Sequence, residues 1–180
     1  MGLKSSGLPL KGARLLETFE ADDRRGRFSK FFDDALFREL GFTVHEVFAS
    51  TNRKNVLRGL HFQNPKPQAR IVWCLKGKIY DVLVDIRKNS PTFKKWHGIE
   101  LSGENKRGVY VPRGFAHGFL SLEEGSHVLY LADAAWSPDS EKGIIYNDPG
   151  LGIKWPGLKD AQIQSDRDAK FAVFKEEDAY

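Results

Sequence analysis

Between residues 56 and 136 apolar and polar positions fall into short runs of strand length. Turn signals such as Asn64-Pro65-Lys66-Pro67, Lys76-Gly77-Lys78 and Asn89-Ser90-Pro91 separate them. The pattern predicts strands over residues 56–62, 70–75, 78–86, 96–101, 107–111, 116–121 and 126–134. Short strands at this spacing, with no helices alternating between them, predict an all-β sandwich or barrel. Upstream, residues 13–19 predict a short strand after a flexible start, and residues 22–30 a charged turn around Gly26. Phe32, Leu36 and Leu40 recur at helical spacing within residues 31–40, and Gly41 stops that helix. Residues 44–48 predict one more strand. Residues 137–159 are loop-rich, with Pro138, Pro149 and Pro156, and residues 160–174 are polar with loose helical spacing. With no linker, repeat or low-complexity segment, residues 1–180 read as one domain whose tail, from about residue 157 to 180, packs on the barrel.

Two stretches carry groups that a strand core does not need. In Asn55-Val56-Leu57-Arg58-Gly59-Leu60-His61-Phe62-Gln63, a regular strand puts Val56, Arg58, Leu60 and Phe62 on one face and Leu57, Gly59 and His61 on the other. Arg58 and His61 then point apart, unless a break at Gly59 brings both to one mouth. An arginine and a histidine in an apolar strand are costly to bury without partners. Alone, His61 reads as a core histidine satisfied by a neighbour. Yet Val109-Tyr110-Val111-Pro112-Arg113-Gly114-Phe115-Ala116-His117-Gly118-Phe119 repeats the plan of apolar strand, Pro/Gly turn and histidine. The pair reads as two walls of one pocket.

Composition narrows the partners. The chain, 20.4 kDa with a net charge of +4, is long enough for a sizeable core. Its Lys and Arg residues are scattered, without an RNA-binding or helix-turn-helix pattern, which argues against nucleic acid and suits an anionic small molecule. No apolar run approaches the ~20 residues that cross a membrane. The first residues lack the apolar core of a signal peptide, and the one cysteine, Cys74, sits in an apolar strand. A cytoplasmic protein without a disulfide framework is the expectation.

Two chemistries compete for the histidines. Pro112-x-Gly114-x-x-His117 resembles half of the cupin metal signature, but the first stretch supplies only His61, and His45, His97 and His127 are isolated. A catalytic metal needs about three protein ligands, so no metal is expected. Metal-free proton transfer needs a base, an orienting carboxylate, a cation for a developing oxyanion and an acid on the opposite side. His61 supplies the base, and Ser165-Asp166-Arg167-Asp168 offers a carboxylate. A hairpin would return Arg70 to the mouth that holds His61. Tyr130 places a phenol on a late strand, where without context it reads first as a core aromatic. Spacing alone does not assemble these four.

The stretch from Asn55 to Gln63 resembles the signature of dTDP-4-dehydrorhamnose 3,5-epimerases. The similarity continues through Asp85-Ile86-Arg87-Lys88-Asn89-Ser90-Pro91-Thr92-Phe93, Leu101-Ser102-Gly103-Glu104-Asn105-Lys106-Arg107, the His117 stretch and Tyr146-Asn147-Asp148-Pro149-Gly150-Leu151-Gly152-Ile153-Lys154-Trp155-Pro156. It covers roughly residues 20–168. The resemblance implies a cupin-type β jelly roll, a homodimer, and a cofactor-free epimerase of a nucleotide-diphosphate 4-keto-6-deoxyhexose in deoxysugar biosynthesis. It implies His61 as the base, Asp168 as its orienting carboxylate, Tyr130 as the acid and Arg70, where the family usually has lysine, as the enolate cation. By the same resemblance Arg58, His117 and Arg25 meet the diphosphate and sugar, Trp136 stacks on the base, and the segment with Arg25 and Phe28 reaches the partner chain's site.

Where the family tends to carry Gln, Asn and Ser at alternate strand positions, this chain has Glu46, Phe48 and Ser50. Lys30 stands where an acidic residue is usual. These departures lie at the substrate-binding edge. They leave three outcomes open: an altered sugar or nucleotide, epimerisation at one carbon only, or binding without catalysis.

Overall fold

A computed structural model of the chain describes residues 2–158 and 163–180. Its strands run β1 Lys4–Gly7, β2 Arg14–Glu17, β3 Phe19–Asp23 and β4 Gly26–Lys30, then helix α1 Asp34–Glu39. β5 Glu46–Asn52, β6 Leu57–Gln63, β7 Arg70–Lys76 and β8 Lys78–Asp85 follow. The chain continues through β9 Trp96–Ser102, β10 Arg107–Val111, β11 Phe115–Ser121, β12 Ser126–Ala132 and the short β13 Glu141–Gly143.

Two antiparallel sheets face each other. One has the order β1-β2-β10-β7-β12-β5 and the other β13-β6-β11-β8-β9, so consecutive strands repeatedly cross between sheets. This is a cupin-type jelly roll, which limits exposed edges by folding one sheet on another. Between the sheets, Val72, Cys74 and Val128 meet Ile79, Leu83 and Phe119 in one buried cluster. The outer face of the six-stranded sheet is covered by α1 and its flanks, where Phe37 and Phe42 pack with Ile71, Trp73 and Leu131. The outer face of the five-stranded sheet is covered by later chain, with Ile144, Leu151 and Ile153 on Leu60, Phe62 and Val84. Strands β7, β8 and β11 are therefore largely buried on both faces, which is why their alternation looks blurred in the sequence.

The predicted strands of residues 56–134 match β6 to β12 to within a few residues. Elsewhere the structure corrects the expectations. The first residues form β1, and the charged segment around Gly26 is a β3–β4 hairpin pairing Ala21 with Phe28. The strand expected at residues 44–48 runs from Glu46 to Asn52. The helix is shorter than residues 31–40 because Asp33 caps it, its side chain accepting from the Leu36 N–H, while Phe32 packs edge-on against Phe37. The helical spacing of residues 160–174 does not yield a helix over the described residues 163–174 beyond a single turn, Asp168–Lys170; residues 160–162 lie outside the described residues. The tail instead spends its backbone bonds on the barrel, with Ile145 N–H donating to Ala172, Lys88 N–H to Tyr180, and Tyr180 N–H to Ile86.

Candidate active site

The break at Gly59 builds the site. β6 pairs with β11 in two registers, His61 opposite His117 and Arg58 opposite Phe119, so β6 spends three residues where β11 spends two. That bulge turns Arg58 and His61 to the same inner face. Gly59 is required there: its φ is +102°, and a Cβ would lie 2.7 Å from the His117 carbonyl and 2.8 Å from Gly118 Cα. Both side chains line a cavity of about 370 Å³ at one end of the barrel.

His61 Nε2 lies 3.0 Å from Asp168 Oδ1. A carboxylate only accepts, so Nε2 carries the hydrogen. Nδ1, without a hydrogen-bond partner among the described residues, keeps its lone pair. Asp168 Oδ2 accepts from the Gly59 N–H at 2.9 Å, and the Asp168 N–H donates to Ser165 Oγ at 3.1 Å. Burial of Asp168 would by itself raise its carboxyl, but the bond from His61, the charge of that ring when protonated, and the Gly59 and Ser165 donors hold it well below the usual carboxylate range. Phe171 meets the His61 ring edge-on at 5.6 Å and fixes its plane from the side.

The opposite wall belongs to the other sheet. Tyr130 on β12 is buried, and burial pushes its phenol up, Asp81 adding to this while the Ser50 hydroxyl, Arg70 and Arg58 act the other way. It is thus a neutral hydroxyl, a donor. Arg70, on β7, donates from Nε to Gln68 Oε1 at 2.9 Å; burial pushes its guanidinium down, with Tyr130, Glu141 and Tyr180 opposing. An arginine keeps its charge even so. It reaches the cavity across the barrel, because β6 and β7 lie in different sheets and form no hairpin. The two histidine stretches are likewise adjacent strands of one wall, not two walls.

His117 Nε2 is held at 2.8 Å by buried Asp81, and among the described residues no three His, Cys, Asp or Glu side chains gather as ligands.

With the geometry in place, similarity to known proteins decides the family. The sequence profile of dTDP-4-dehydrorhamnose 3,5-epimerase matches residues 7–176. The chain belongs to that family. It is 41% identical to the dTDP-4-dehydrorhamnose 3,5-epimerase of Methanothermobacter thermautotrophicus, over 95% of this chain and 94% of that protein. A dTDP-6-deoxy-D-glucose-3,5-epimerase from Legionella pneumophila, solved with dTDP-4-keto-L-rhamnose, superposes with a TM-score of 0.90 at 38% identity, covering 95% of this chain and 92% of that one. A 3'-monoepimerase from Streptomyces bikiniensis, solved with dTDP-quinovose, superposes with a TM-score of 0.85 at 33% identity, covering 92% and 85%. The epimerase fold therefore serves single as well as double epimerisation.

Around His61 and Tyr130, the cavity also holds Glu46, Ser50, Arg58, His117 and Trp136. Arg58 Nε donates to Asn52 Oδ1 at 2.8 Å, which fixes the guanidinium against the wall. Trp136 is 54% exposed, a broad apolar face at the rim. Arg25 and Phe28 sit apart, on the exposed β3–β4 hairpin, where Arg25 pairs with Asp23. Sequence reasoning missed Asn52, Gln68, Glu141 and Arg167. Glu141 Oε2 accepts from the Trp136 indole at 3.1 Å and also from Arg167. Arg167 in turn lies 3.4 Å from Asp168 Oδ1. The signal for Arg167 was its place beside Asp168 in the tail motif; Glu141 gave none, lying on a strand of three residues in a loop-rich segment.

Proposed function

We propose that this protein epimerises a nucleotide-diphosphate 4-keto-6-deoxyhexose of the dTDP-4-dehydrorhamnose type. His61 is the base, Asp168 its orienting partner, Arg70 the cation beside the enolate and Tyr130 the acid. The carrying observation is that His61 and Tyr130 line one cavity from opposing sheets. Inversion at carbon requires a proton to leave one face and another to arrive on the opposite face, so base and acid must flank the substrate.

The sequence of events follows from the chemistry. The 4-keto group acidifies the protons on carbons 3 and 5. Neutral Nδ1 of His61 removes one, and the electron pair moves into the ring to leave an enolate oxygen. Asp168, ionised throughout the working range, stabilises the imidazolium. Arg70 offers its buried positive charge to the oxyanion, where low dielectric makes it effective. The Tyr130 hydroxyl donates to the carbon from the other side. Repetition at the second carbon completes a double epimerisation; Arg70 in place of lysine, and Phe48 at the rim, are the features that favour a monoepimerase as the second reading.

Arg58 and His117 border the sugar and diphosphate, and Trp136 stacks on the nucleotide base. The active unit is a homodimer in the cytoplasm. The exposed hairpin, with Phe28 62% exposed, and the outward Val47 of edge strand β5, 60% exposed, are apolar surface suited to a second copy. In that unit Arg25 and Phe28 complete the partner's site, and residues 1–180 act as one domain. Incubation with dTDP-4-keto-6-deoxyglucose, followed by NMR of the product, tests the activity. Sedimentation tests the dimer: a monomer at assay concentration overturns it.

A further inference from the structure

At the open edge of the cavity two rings lie face to face. Phe48 and Tyr130 are cross-strand partners of β5 and β12, their centroids 4.9 Å apart and their planes within 13°. Their surroundings differ. Tyr130 is 7% exposed and clusters with Val72 and Val128, whereas Phe48 is 43% exposed on the sheet's edge strand. The phenol therefore has strand on its inner side and, toward solvent, the ring of Phe48. A Phe side chain offers no hydrogen bond to a sugar, so its presence between Glu46 and Ser50 on the cavity wall calls for another role.

We propose that Phe48 is a positioning residue that holds the Tyr130 phenol in one orientation and keeps bulk water from it. The inference rests on the epimerase reading, in which Tyr130 is the acid. In the step concerned, the enolate's electron pair forms the new C–H bond with the phenol proton, the ketone is restored, and the phenolate later regains a proton from water. Water that reaches the enolate directly delivers protons to either face and regenerates substrate as readily as inverted product. A rigid, dry phenol delivers from one face only. The stacked ring supplies both conditions, since offset aromatic pairs fix mutual orientation and exclude solvent.

The test compares two rates in deuterated buffer: deuterium gained by unreacted nucleotide sugar and inverted product formed. Phe48→Ala raises the ratio of the first to the second by roughly two- to ten-fold, the worth of one aromatic pair. Phe48→Tyr keeps the ring and restores the native ratio, and KM changes little in either variant. Equal slowing of both rates in Phe48→Ala, with an unchanged ratio, overturns the proposal. A second measurement needs no turnover. In 3-fluorotyrosine-labelled protein, with the Tyr130 resonance assigned by its loss in Tyr130→Phe, the deuterium-oxide solvent shift is small in the native chain and grows in Phe48→Ala. A shift that does not grow overturns the shielding whatever the substrate. A shift that grows in a chain inactive on the nucleotide sugar defeats the epimerase reading and sustains the shield.

Discussion

His61 and Asp168, 107 residues apart in the chain, meet at 3.0 Å through Nε2 and Oδ1. The same carboxylate accepts the backbone N–H of Gly59 at the β6 bulge. One acidic side chain from the tail thus fixes both the tautomer of His61 and the bend that aims it. Asp168→Asn keeps the shape but replaces the anion. Turnover is expected to fall by roughly 10²–10⁴-fold, with far-ultraviolet circular dichroism unchanged. A loss below ten-fold would show that the carboxylate does not support the base.

The depressed carboxyl of Asp168 has a consequence for stability. Its folded pKa lies below its unfolded one, whose reference is 3.8. The folded state therefore gains stability from this group above the unfolded value, and loses it as pH falls from that value through the folded one. Urea unfolding between about pH 5 and pH 2 should show a steeper acid loss for the native chain than for Asp168→Asn. Parallel curves would contradict the assignment.

Gly59 carries the geometry of the wall. Gly59→Ala places a methyl group against the β11 backbone at a positive φ, so either strand must shift. A loss of about 1–3 kcal/mol in urea unfolding is expected, with a fall in activity larger than stability explains. A fully active, equally stable Gly59→Ala variant would mean that the bulge is dispensable.

Arg70 separates charge from shape. Arg70→Lys retains a cation opposite the base and should keep most of the turnover. Arg70→Met removes it and should cost roughly 10²–10³-fold in kcat, the worth of one oxyanion-stabilising group. Equal behaviour of the two variants in steady-state assays argues against an electrostatic role.

Much of this site was legible in the sequence because β6 carries its own anomaly: Arg58 and His61 in an apolar strand with a glycine between them. The strands from residue 56 to 134 were legible for the same reason, their turns being marked by Pro and Gly. What escaped was long-range or context-dependent. Spacing could not choose Asp168 over Asp166, because the contact depends on a turn docked onto a bulge from the far end of the chain. Arg70 was expected through a hairpin, whereas the jelly-roll crossover delivers it from the other sheet. The charged β3–β4 hairpin looked like a turn because pairing such as Ala21 with Phe28 is set by the backbone and not by apolar alternation. Glu141 and Arg167 escaped because surface-type residues acquire meaning only once Trp136 and Asp168 are brought beside them.

The most direct test of the account is deuterium incorporation followed by NMR, with dTDP-4-keto-6-deoxyglucose in deuterated buffer, for the native chain and His61→Ala side by side. The account predicts exchange at both carbons 3 and 5 in the native protein and its near-complete loss in the folded variant. Exchange at one carbon alone would make the chain a monoepimerase acting through the same base. Exchange in His61→Ala at the native rate, or none at either carbon in the native chain, would contradict the account.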